Sequence, residues 1–158
     1  MRVLAIDPGF ERVGIAVVEK KNGVDILIFS SCFMTDKNLA FSERLVLIGE
    51  EVERIINKYS PNTLAIETLF FNTNQKTALK VSEARGVSIY TASKKGLSLY
   101  EYSPLQIKIA ITGYGKATKA QVSDMTHKLI IIQKKPKYDD ETDAIAVGLT
   151  CLASEKNV

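Results

Sequence analysis

Four carboxylates in this 158-residue chain stand where neither a buried-strand nor a helix pattern asks for a charge: Asp7, Glu67, Asp140 and Asp143. Asp7 and Glu67 each close a short apolar run, Arg2 to Asp7 and Thr63 to Glu67, that reads as a strand. Asp140 and Asp143 lie three residues apart at the start of a helical stretch, so they share one helix face. If the ends of the first and fourth strands meet beneath that helix, all four acids can serve a common point. Carboxylates gathered this closely repel one another and hold raised pKa values unless a multivalent cation compensates them, so the arrangement implies a metal. Mg²⁺, with Mn²⁺ as a substitute, is the natural occupant, being hard, oxygen-seeking and ready to share its shell with phosphate and water. Two such ions flanking a phosphodiester can activate water and stabilise the leaving 3′ oxygen, which makes nucleic-acid hydrolysis the indicated reaction.

Taken singly, each acid has an ordinary explanation. Asp140, with Asp139 and Glu141, suits the first turn of any helix, where the macrodipole favours negative charge. Asp143 could be a plain surface acid, Glu67 could pair with a lysine, and Asp7 before Pro8-Gly9 could form an Asx-type turn. The weight comes from all four falling at ends of elements that one fold would bring together.

Those elements are legible from periodicity. Arg2 to Asp7, Val13 to Lys20 and Val24 to Met34 read as three strands, the last two joined by the hairpin signal Asn22-Gly23. Phe41 to Tyr59 carries Leu45, Ile48, Val52, Ile55 and Ile56 at helical spacing, with Ser42 as the expected N-cap. After the strand Thr63 to Glu67, a helix from Gln75 to about Ala92 is expected despite Gly86, followed by a fifth strand, Leu97 to Tyr102. Ser103-Pro104 opens a short helix ending near Gly113, Thr118 caps one running to about Ile132, and Asp139 or Asp140 caps the last, to about Ser154. The expectation is one α/β domain over residues 1–158, a five-stranded mixed sheet flanked by helices.

The net charge of +3 hides a strong local imbalance. Residues 94–138 hold 9 Lys and Arg against 2 Asp and Glu, while residues 139–158 hold 1 against 5. A basic tract just before an acidic cluster suits a site that attracts a polyanion and handles it with carboxylate-bound metal, although a lysine-rich solvated face would read the same. No apolar run approaches a membrane span and no signal-peptide pattern opens the chain, so a cytosolic location is expected. Cys32 and Cys151 lack metal-site spacing and are expected as buried free thiols; His127, the sole histidine, is expected at the surface.

Ile6-Asp7-Pro8-Gly9 followed by Gly14, Ala65-Ile66-Glu67-Thr68-Leu69-Phe70, Ala84-Arg85-Gly86 and Asp140-Glu141-Thr142-Asp143-Ala144 resemble, in order, the successive motifs of the RuvC family of Holliday junction resolvases. Lys108 to Val122, with Gly113-Tyr114-Gly115 and Lys119-Ala120-Gln121-Val122, resembles a further stretch of that family. The resemblance implies a ribonuclease H-like fold and a homodimeric enzyme that binds four-way junction DNA and nicks paired strands of like polarity. It assigns Asp7, Glu67, Asp140 and Asp143 to metal, two ions per site, and Lys108, Lys119, Lys116 and Arg85 to DNA. Phe70 stands at the family's aromatic position and Phe71 follows it; a ring there can stack on an unpaired base or wedge a step open, with Phe71 expected to be partly buried. The branch-migration proteins RuvA and RuvB join the expected partners, and the small residues from Ala78 to Ala84 are a candidate dimer face. Phe10-Glu11-Arg12 departs from the Ser-Arg common after this motif, so no DNA contact is carried over there. A YqgF-like nuclease acting on RNA, suggested by Arg12-Val13-Gly14-Ile15-Ala16, and a junction-binding module without activity are the competing readings.

Overall fold

The computed structural model describes residues 1–69, 75–132 and 134–155. Strands β1 (Arg2–Asp7), β2 (Arg12–Lys21), β3 (Val24–Met34), β4 (Thr63–Glu67) and β5 (Ser98–Tyr102) form one sheet in the order β3-β2-β1-β4-β5. β1, β2 and β3 are antiparallel neighbours, whereas β4 pairs parallel with both β1 and β5. The β2–β3 hairpin turns at Asn22 and Gly23, whose φ values of 52° and 78° are those a tight primed turn requires.

Alternation along the strands sends side chains to two separate cores. Leu4, Ile6, Ile15, Leu64 and Ile66 pack against α1 (Phe41–Tyr59) and α2 (Gln75–Lys94), meeting Ile48, Val52, Ile55 and Ala84. On the other face Val3, Ala5, Ala16, Val18 and Ala65 meet α3 (Pro104–Thr112) and α5 (Asp139–Ser154), with α4 (Lys119–Leu129) alongside. Truncating a fully buried side chain such as Ile66 would cost roughly 2–5 kcal/mol. The α5 face is built for close approach: a Cβ added to Gly148 would lie 2.7 Å from Val18 and 3.1 Å from Ala5. Small residues on strand and helix therefore let α5 lie almost directly on β1 and β2. No helix among the described residues is long and apolar enough to cross a membrane.

Several expected details change. α1 begins after Ala40, not Ser42; the Glu43 carboxylate accepts the Ala40 N–H at 2.8 Å, and Ser42 lies inside the first turn. α4 ends at Leu129 rather than near Ile132, because the β-branched run turns out to cover an exposed strand edge. Ile130 adopts extended angles, Ile131 donates its N–H to the Asp25 carbonyl at 3.0 Å, and its own carbonyl accepts from Leu27 at 3.1 Å. Tyr138 occupies the N-cap position of α5, so Asp139 and Asp140 belong to its first turn instead of capping it. Cys151 is buried as expected, but Cys32 is only half-buried. His127 is also half-buried, with its ring Nε2 3.3 Å from Thr142 Oγ1 between α4 and α5.

Candidate active site

Parity decides which face carries the acids. Val3 and Ala5 face α5, so Asp7, two residues further along β1, emerges on the same side; Ala65 sets Glu67 there in the same way. A one-residue slip of either strand would move its acid to the α1 side. Asp7 pairs in register with Gly14 of β2, and the first turn of α5 lies directly over that glycine. A Cβ on Gly14 would come within 2.0 Å of the Asp140 carbonyl oxygen and 3.1 Å of the Asp7 Cβ. The missing side chain thus makes room for the Asp140 and Asp143 end of α5 beside the end of β1.

The electrostatics register the gathering. Asp7 is held well above the ordinary carboxylate range, first by burial and then by repulsion from Glu67, Asp143 and Asp140, with Lys119 opposing. Glu67 is raised to about 7 by burial and by Asp143, again against Lys119. Asp143 is also raised by burial, partly offset by its hydrogen bond from Lys119. Folding thus places these groups near enough to repel one another, and the repulsion adds to the effect of burial on each.

Two cations hold the α5 acids. Lys119 Nζ lies 2.9 Å from Asp143 and 4.0 Å from Asp139, and the capping box at Thr118 fixes the start of the helix that carries it. Arg12, the first residue of β2, reaches Asp140 at 2.5 Å, with its guanidinium 5.1 Å from the centre of the Tyr138 ring. Lys108 joins Glu67, Lys119 and Asp143 in lining a depression of about 220 Å³. Lys116 is exposed in the turn between α3 and α4.

Arg85 reaches Glu67 from behind. Its side chain is 17% exposed, its Nε donates to the Glu67 carbonyl oxygen at 2.9 Å, and its guanidinium pairs with Glu101 of β5. This places it as a brace for the strand end that presents Glu67. Phe70 and Phe71 lie outside the described residues. Sequence reasoning missed the Arg12–Asp140 pair and the Arg85 brace; for Arg12 the available signal was a cation five residues after Asp7, in a turn that must lie at the same sheet end.

The donor set fits a hard divalent ion: carboxylate oxygens only, desolvated and mutually repelling, a charge arrangement that a cation relieves. Among the described residues no three His, Cys, Asp or Glu side chains stand as a ready-made cage, and Lys119 and Arg12 lie on two of the acids. The ammonium and guanidinium supply positive charge where a metal would supply it.

Comparison with known proteins agrees with this architecture. The family described as crossover junction endodeoxyribonuclease RuvC matches residues 3–151. A protein of that name from Caldicellulosiruptor saccharolyticus is 43% identical over 159 residues, covering 100% of this chain and 96% of its own. The Thermosipho melanesiensis protein of the same name is 44% identical over 155 residues, covering 98% of each. The structure of Thermus thermophilus RuvC in complex with a Holliday junction substrate superposes with a TM-score of 0.90 at 30% identity, over 97% of this chain and 93% of that one. The mixed sheet is thus the ribonuclease H-like fold expected from the motifs. With the match spanning the sheet and all four acids, the chain belongs to the crossover junction endodeoxyribonuclease RuvC family.

Proposed function

We propose that this chain is a structure-specific endonuclease that resolves four-way DNA junctions by paired, metal-dependent nicks, acting as a homodimer. The observation that carries the reading is the cluster of half-buried acids at one end of the sheet, flanked by Lys108 and Lys119. Membership of the RuvC family, and the Holliday junction held by the Thermus thermophilus relative, support DNA junctions as the substrate.

Asp7, Glu67, Asp140 and Asp143 would hold Mg²⁺, two ions per site. When bound, the ions supply Lewis-acid chemistry, activating water and neutralising charge that develops on the phosphate and the leaving oxygen. Lys119, held on Asp143, is placed to exchange that carboxylate for a phosphate oxygen as substrate enters, and Lys108 widens the same cationic rim. Arg12 can leave Asp140 in the same way. Arg85 fixes the Glu67 backbone, so the reacting phosphate meets an acid whose main chain cannot drift.

For the dimer, α2 supplies a candidate face. Ala84 is buried in this chain's own core, but Leu79 and Tyr90 on α2 and Val46 on α1 are exposed by 58%, 65% and 59%. RuvA and RuvB remain the expected partners in branch migration.

The deciding experiment offers labelled four-way DNA, linear duplex and structured RNA, each with and without Mg²⁺. Symmetric, Mg²⁺-dependent nicks in the junction are expected; preferential RNA cleavage, or cleavage without divalent metal, would overturn the reading. Light scattering that finds only monomer at working concentration would remove the paired-nick element.

A further inference from the structure

A second cationic feature lies beside the acid cluster, on the outer edge of the sheet. β3 is an edge strand that pairs with β2 on one side; on the other, among the described residues, only the Ile26–Ile131 bridge covers it. Beyond that bridge, residues Ile28 to Cys32 form one wall of an open groove of about 400 Å³, and the segment 134–138 forms the other. Lys134, Lys135 and Lys137 are all exposed, and none makes an ion pair or side-chain hydrogen bond with a described residue.

The segment that carries these lysines is anchored. Glu141, only 6% exposed, accepts the Lys137 backbone N–H on one carboxylate oxygen at 3.1 Å and the Ser30 hydroxyl on the other at 2.6 Å. The one carboxylate lining the groove is therefore turned into its floor, and the lysine charge above it faces solvent. The groove is also continuous with the acid cluster: Tyr138, at its end, lies under the Arg12 guanidinium that holds Asp140, and Cys32 lies beside the same arginine.

We propose that the β3-edge groove is a phosphate-binding track, in which Lys134, Lys135 and Lys137 engage the sugar–phosphate backbone of the DNA strand running away from the cut site. Three exposed lysines along one wall suit a polyanion, and a groove walled by a strand edge offers backbone N–H donors as well as ammonium groups. The contact is independent of base sequence, because a backbone displays the same phosphates whatever the bases. The proposal rests on the nuclease reading and deepens it by naming where an arm of the substrate lies.

The test is junction binding by fluorescence anisotropy over a salt series in Ca²⁺, with nicking in Mg²⁺ measured in parallel. The variants are K134Q/K135Q/K137Q and, as a charge control, K21Q/K58Q. Lys21 ends β2 and Lys58 lies near the end of α1, both at the opposite end of the sheet from Asp7. Each lost phosphate contact should lower the slope of log K against log salt by about 0.9, so the triple variant should lose roughly 2–3 in slope and about 10-fold or more in affinity. The control should keep the parent slope, and unchanged melting temperatures would exclude misfolding of these surface variants. A triple variant with the parent slope, or a control that loses as much per charge, would overturn the track while leaving the function in place. A parent protein that neither binds nor nicks the junction would instead overturn the function on which the track depends.

Discussion

Gly14 and Asp140 are separated by most of the chain, yet the space where a Cβ on Gly14 would lie is filled by the Asp140 carbonyl oxygen, 2.0 Å away. The obstacle is main chain, which cannot rotate aside as a side chain would. Gly14→Ala must therefore push the first turn of α5 off the sheet, and with it the two acids it carries. We expect a loss of about 1–3 kcal/mol of stability, the usual cost of overpacking, and a nicking rate reduced by a larger factor than junction affinity. Urea denaturation and single-turnover cleavage would check the two effects separately.

The acids themselves should separate binding from chemistry. Asp7→Asn, Glu67→Gln and Asp143→Asn keep shape but remove charge from a crowded, half-buried cluster. Nicking should fall by roughly 100-fold or more, while junction affinity in Ca²⁺ changes little. Retained cleavage in Asp7→Asn would contradict its assignment to metal. Because the replaced charges repel one another, each variant should also melt higher than the parent in metal-free buffer at pH 8, a stability gained at the expense of function.

Stability should carry a pH signature of the same repulsion. The folded Glu67 carboxyl keeps its proton up to about pH 7, whereas an unfolded one releases it near its ordinary value of 4.5. Between those values the native state binds more protons, so metal-free stability should fall as pH rises from about 4.5 to about 7. Asp7 shifts in the same direction and adds to the fall. After allowance for solvent screening the loss is of order 1–2 kcal/mol, a few degrees in melting temperature for a chain of this size. Millimolar Mg²⁺ should remove most of it, and a metal-free melting temperature that is flat or rising across that range would refute the account.

Arg85 distinguishes a brace from a DNA contact. Its hydrogen bond to the Glu67 carbonyl and its pair with Glu101 predict that Arg85→Ala lowers kcat about 10-fold and costs roughly 1–2 kcal/mol of stability, with junction affinity preserved. A variant that cleaves normally when saturated, but binds the junction weakly with a reduced salt slope, would assign the residue to DNA instead.

If Asp143 holds metal as proposed, Lys119, 2.9 Å away, would compete for it. In Lys119→Met the carboxylate loses its counter-ion, so half-saturating Mg²⁺ for cleavage should fall a few-fold. Maximal turnover should fall as well, by about 10-fold or more, since an ammonium at the phosphate is lost. Metal titration of the nicking rate reads both numbers, and an unchanged metal requirement would remove the competition.

Much of the scaffold was legible because its signals are local. β1, β3, α1 and β4 begin and end where alternation and helical spacing place them, and Ser103-Pro104 and Gly113 bound α3 as their backbone preferences dictate. Where the reading failed, a distant surface decided. Ile130 to Ile132 continue a helical pattern, but the open edge of β3 draws them out of α4. Ser42 and Asp139 carry good capping chemistry, yet the chain enters α1 and α5 elsewhere, at Ala40 and Tyr138. The four acids could be picked out at element ends, whereas Arg12 on Asp140 joins residues 128 apart, and no spacing rule contains it. For Arg85, expected at DNA, the motif says nothing of the Glu67 carbonyl and Glu101 that its side chain meets. Lys108 and Lys119 stood out only through the family resemblance.

Two of the four acids arrive on α5, which is translated after every strand it rests on. A nascent or truncated polypeptide ending before residue 139 would contain the sheet and half the carboxylates, but not the pair needed to complete the cluster. On the proposed metal assignment, competence to cut would appear only once the final helix has docked.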